Sequence, residues 1–187
     1  WTTLFLSTGG RVTRQETLWI VIITMGVAAS RDNILERGWG VEWYFLHFYV
    51  LWSVLIVAIK YSTRFNDDDL WHNLLWGCFT LGLMFAVAHI YVDLHGFAAS
   101  VAFVHLLVAV SYIRVAALLP RARIFCSVHF LESAAHAAVF AAIYFCEPEG
   151  LWERRLLWVN AALEPLTATM FKAFVPNQHP WDVPSDF

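Results

Sequence analysis

Long apolar runs alternate with short polar connections along this chain. Four runs, 43–59, 70–92, 96–119 and 124–146, reach the length a helix needs to cross bilayer hydrocarbon, about 17–25 residues. A fifth, 18–30, is shorter and bounded by Glu16 and Arg31, so it spans only if its flanks snorkel. A sixth, 156–171, is interrupted by Glu164 and Pro165. None alternates in the manner of a strand, and Ala and Leu dominate several, so helices are expected. Connections such as "RDNILERGWG", "DLH" and "PRAR" are short enough to force antiparallel neighbours. The expected fold is an all-α integral membrane bundle of five or six transmembrane helices, running up and down. It forms one domain over 1–187, read as part of a longer chain. The tail "VPNQHPWDVPSDF" has three prolines and reads as an extended exit.

Composition strengthens the membrane reading. Apolar residues make up 59% and charged residues 14% of 187, against about 45–50% and about 25% in ordinary soluble domains. Twelve Lys and Arg with fifteen Asp and Glu are too few to cover a water-exposed surface. The net charge of −3 and the lack of basic patches argue against a nucleic-acid partner. Membrane lipid is the expected surrounding, with the plasma membrane as the expected location and an oligomer left open. Cys78, Cys126 and Cys146 lie in apolar runs and read as small buried hydrophobes. If the N-terminus faces the cytoplasm, Arg11, Arg14, Lys60, Arg64, Arg121, Arg123 and Lys172 fall inside. Arg31, Arg37, Arg154 and Arg155 then fall outside, a modest positive-inside bias. Several of the ten Trp stand near run ends, as in an aromatic belt.

The candidate chemistry lies inside the runs. His129, Glu132 and His136 fall within an arc of about 60° on one helix face. A charge facing lipid at mid-bilayer costs about 2.5–3.5 kcal/mol on insertion scales, so the stripe is expected to face inward. Asn160, Glu164 and Thr167 form a second stripe, with Pro165 beside it inviting a kink. Counted from the connection between the two runs, His136 and Glu164 both lie about 15 Å deep. They are expected to meet, with Glu132 and Thr167 one turn deeper. Three uses fit such a cluster: a structural clamp between helices, a path for protons, cations or a small substrate, or a metal site. No HExxH occurs, and neither a cofactor nor a catalytic residue is assigned. Arg114 either snorkels to the membrane surface or pairs with a carboxylate inside the bundle. His105 shares a face with Tyr112, and Gly82, Ala86 and His89 read as close helix packing.

One further stretch, "KYSTRFNDDDLW", ends one helix with Arg64 and Phe65 and opens the next with Asp67, Asp68 and Asp69. Acidic residues suit a helix N-terminus, and Asp can cap it. An acidic mouth for cations, or an Arg–Asp latch between two helices, is the functional alternative. Trp52, Tyr61, Arg64, Phe65, Asp68 and Asp69 resemble the pattern of the low-temperature-requirement A (LtrA) family of multi-pass membrane proteins. In that family a Trp-rich helix ends in an "RF" step before acidic residues. Arg114 and the "PWDV" of Pro180 to Val183 also resemble family positions. Glu16 matches the family's opening acidic helix, whereas Ile20 stands where a second acid is usual. The resemblance implies a multi-pass membrane protein without defining a reaction, since the family name reports a growth phenotype. A transporter or channel with a proton or cation path is therefore the expected function. A membrane-embedded enzyme using His129, Glu132 and His136, or a structural membrane module, is the alternative.

Overall fold

The computed structural model describes residues 17–26, 28, 40–62, 64–65, 70–90, 92–145 and 151–174. In chain order they form α1 (Thr17–Gly26), α2 (Gly40–Ser62), α3 (Leu70–His89), α4 (Leu94–Leu118), α5 (Arg123–Phe145) and α6 (Leu151–Phe174). No strand occurs among the described residues. Four helices, α2 to α5, are long and apolar enough to cross a membrane. The described stretch of α1, Thr17–Gly26, is shorter than that. The 24 residues of α6 suffice in length but carry Glu153, Arg154, Arg155, Glu164 and Lys172. The all-α, multi-pass bundle is thus as expected.

Local chemistry sets the helix ends. Asp93 caps α4 from an extended conformation (φ −153°, ψ 113°), accepting from the backbone N–H groups of His95 at 3.0 Å and Gly96 at 2.9 Å. At the other end Pro120 forces Leu119 out of the helical region, to φ −121° and ψ 90°. A single 3-10 turn, Pro120–Ala122, then feeds α5. This joins α4 and α5 as a tight hairpin, the most extensively packed pair in the bundle. Between α3 and α4 the approach is set by Gly82, where a Cβ would stand 2.7 Å from Cγ2 of Val104. The stripe of Gly82 and Ala86 therefore does face a neighbouring helix. Trp19 fastens α1 to α3, donating its indole N–H to Oγ1 of Thr80 at 3.0 Å and lying 4.8 Å from the Trp76 ring.

Polarity is distributed inside out. Leu81, Phe85, Leu106, Ile113 and Leu131 are exposed by half or more, whereas His47, Lys60, His105, His129, Glu132, His136 and Asn160 are buried. Such an arrangement suits a hydrocarbon surrounding, in which ionisable groups must turn toward one another. Two residues counted above as loop charges belong to this interior. Helix α2 runs past its apolar stretch to Ser62, so Lys60 sits in its last turn and is 6% exposed. Arg64 is 9% exposed, with its guanidinium 4.7 Å from the centre of the Phe125 ring. With both turned inward, the positive-inside bias falls to five against four.

Candidate functional site

The stripe on α5 comes together as a network around one carboxylate. Oε2 of Glu132 accepts from Nδ1 of His129 at 2.7 Å. Its Oε1 accepts from Nζ of Lys60 at 3.2 Å and from Oγ1 of Thr167 at 3.1 Å. Glu132 is 1% exposed; His129 and Lys60 donate to it, and the Thr167 hydroxyl shares its one proton between this carboxylate and the Glu164 carbonyl at 2.9 Å. Lys60 also stands 3.9 Å from Oε1 of Glu164, so one ammonium lies between two carboxylates. Thr167 therefore meets Glu132 as expected, and Lys60 of α2 adds a cation to the cluster.

Glu164 does not meet His136. Nδ1 of His136 stands 2.5 Å from Oδ1 of Asn160, one turn before Glu164 on the same helix. The reason is the start of α6. It begins at Leu151, so Glu164 lies thirteen residues into α6 whereas His136 lies nine residues before Phe145, and this shifts the pairing by about one turn. Glu164 instead accepts the Tyr49 hydroxyl at 2.9 Å. Pro165 explains the second role of that hydroxyl. Having no N–H, Pro165 leaves the carbonyl of Ala161 without its helical donor. The Tyr49 hydroxyl lies 3.3 Å from that oxygen and serves as the substitute. It has one proton for two acceptors and so shares it between the Ala161 carbonyl and the carboxylate.

A layer nearer the Phe145 and Leu151 helix ends holds two imidazoles and an amide. The rings of His105 on α4 and His136 on α5 stack 4.8 Å apart at 13°. Below them Tyr112 stacks on His129, 5.3 Å apart at 22°. Phe65 packs near Tyr61, Tyr112 and Phe125, so the "RF" step closes the charged end of the bundle over an aromatic cluster. Asp67, Asp68 and Asp69 lie outside the described residues. Arg114 is partly buried toward the end of α4 and is engaged there.

Lys60, Tyr49 and His105 were not singled out for this cluster from the sequence. A signal for the first two existed: residues 49, 53 and 60 fall within about 40° on one face of a helix, and Tyr49, Ser53 and Lys60 are all polar. His105 had its own signal in the face it shares with Tyr112. Among the described residues no group of three His, Cys, Asp or Glu side chains is arranged to hold a metal ion. Compared with protein-family models, curated proteins and solved structures, the chain matches none.

Proposed function

We propose that this membrane protein moves protons or cations along the seam between α2, α5 and α6, as a transporter or channel. The observation that carries this reading is the trio of buried Lys60 and Glu132 with half-buried Glu164, two carboxylates around one ammonium. The two carboxylates share the Lys60 ammonium, with the Arg64 guanidinium on the Lys60 carbonyl, so a proton or a monovalent cation taken up at either carboxylate loosens its tie to Lys60. Glu164 is the natural entry point, because its side chain is 27% exposed while Glu132 is closed off. The "RF" step supports reading the chain as of the LtrA type, at the plasma membrane.

A second reading is favoured by the polar ties of α6: the same groups act as a clamp that holds this helix. One experiment separates the two. Purified protein is reconstituted into proteoliposomes with luminal pH, Na⁺ and K⁺ indicators, and gradients are imposed. Transport predicts dissipation above empty vesicles, slowed at least about 10-fold by Glu132→Gln or Glu164→Gln. Flux unchanged by both variants, with lowered thermal stability, would establish the clamp.

A further inference from the structure

We propose that the stacked imidazoles of His105 and His136 are a single-proton station, and that the species carried along the seam is the proton and not a metal cation. This rests on the ion-path reading and extends it toward the Phe145 and Leu151 helix ends.

The tautomer of His136 follows from its partner. Oδ1 of Asn160 only accepts, so the hydrogen bond at 2.5 Å fixes a proton on Nδ1. In the neutral ring Nε2 then presents a bare lone pair. That atom is buried without a hydrogen-bond partner among the described residues, as are Nε2 of His105, Nδ2 of Asn160 and Oγ of Ser133. All four residues are 0–1% exposed. Buried polar atoms are nearly always paired, so these orphans, with the Tyr112 hydroxyl below them, call for a physical cause. They comprise lone-pair acceptors (His136), N–H donors (Asn160) and groups that do either (Ser133, His105). A hydrogen-bonded file of water needs this mixture.

Position links the layer to the charged cluster. Ser133 follows Glu132 in sequence, His136 lies one turn beyond it on α5, and Asn160 lies one turn before Glu164 on α6. The other charged or ionisable groups around this region are Lys60, Glu132, Glu164, His129 and Tyr112, with Arg64 and Tyr49 beyond them. A proton held on a carboxyl of the cluster leaves its oxygen, passes through water and bonds to Nε2 of His136. The carboxylate is restored and the ring becomes an imidazolium, with its Nδ1–H still on Asn160. Loss of that Nε2 proton through water to His105 returns His136 to neutral. Two imidazoliums stacked at 4.8 Å would repel, so the pair holds one proton at a time. A hard metal cation gains nothing here. It needs several oxygen ligands, and the layer offers ring nitrogens and an amide N–H.

The test uses the full chain in proteoliposomes, with pH, Na⁺ and K⁺ followed separately. Expected is a proton flux carried by the unmodified protein without Na⁺ or K⁺ flux, slower in D2O. His105→Gln and His136→Gln keep hydrogen-bonding groups but cannot hold the proton, and each lowers that flux by at least about 10-fold. Proton flux unchanged in both variants overturns the station while leaving the ion path intact. Na⁺ or K⁺ flux without proton flux in the unmodified protein does the same, whether or not the variants fold. No flux of any ion overturns the ion path and the station together.

Discussion

The α4–α5 hairpin and the α6 seam hold helices together by opposite means. In the hairpin, Phe97, Ala98, Val101, Val108 and Ala109 of α4 and Cys126, Ser133 and Phe140 of α5 are all buried, and small residues bring the backbones close. Helix α6 buries only Leu157 and Asn160 among its described side chains. It is tied instead by polar contacts: His136 with Asn160, Glu132 with Thr167, Tyr49 with Glu164, and Arg154 with Glu42. In lipid no hydrophobic force separates these cases, because apolar surface is solvated as well by acyl chains as by side chains. Packing degrades gradually as atoms shift, whereas a polar tie depends on the charge of a single group. On the proposed ion path, helix α6 is the element expected to respond to proton or ion uptake, with the hairpin as its frame.

The largest effect is expected at Lys60. Lys60→Met removes the cation between Glu132 and Glu164 and leaves buried carboxylate charge uncompensated, which costs about 3–5 kcal/mol. Reversible unfolding in mixed micelles measures it. Adding Glu132→Gln to Lys60→Met should recover part of the loss, because one stranded charge goes with its partner. A loss no larger than that of a surface substitution would mean that the polar seam does not hold α6.

Next is Tyr49→Phe, which strands both the Ala161 carbonyl and a Glu164 oxygen, at about 1–3 kcal/mol. The sharper measurement is a double-mutant cycle with Pro165→Ala. Alanine at 165 restores the N–H that the Ala161 carbonyl lacks, so Tyr49→Phe should cost less in that background. Equal costs in both backgrounds would remove the link between the proline and the tyrosine. On the hairpin side, Gly82→Ala drives a Cβ to 2.7 Å from a stiff Val104 side chain and is expected to cost about 1–3 kcal/mol by overpacking. It should leave ion flux unchanged, since Gly82 packs on Val104 and Phe103 of α4 and not on a charged side chain of the seam. A Gly82→Ala protein that is stable but loses flux would show the frame and the path to be coupled.

The two halves also differ in how far the sequence reveals them. The helices were legible because span length is fixed by bilayer thickness, and the connections leave few ways to fold back. The inward stripe of His129, Glu132 and His136 was legible because helical periodicity alone puts the three on one face. The partners were harder. Whether His136 reaches Asn160 or Glu164 depends on where α6 begins, and an error of three residues there moves every contact by a turn. Lys60 was obscured by its place at the end of an apolar run, where a long side chain can turn either way. Only packing against α5 and α6 decides its direction. The stacking of His105 on His136 brings together residues thirty-one positions apart, and no local pattern encodes that distance.

The smallest effect is expected where the hairpin begins. Asp93→Ala removes the side chain that accepts the His95 and Gly96 N–H groups, a loss of about 1 kcal/mol for an N-cap. Asp93→Asn keeps an accepting oxygen and should lose only a fraction of that. The helix is 25 residues long and packed along its length, so fraying its first turn leaves the buried face of α4 in place. Unfolding in mixed micelles should therefore rank Lys60→Met far above Asp93→Ala, with flux untouched by the latter. If the ranking were reversed, with the cap costing more than the buried cation, the stability of the bundle would reside in its turns. The polar seam would then be a passenger on the fold, and the division between frame and moving helix would fail.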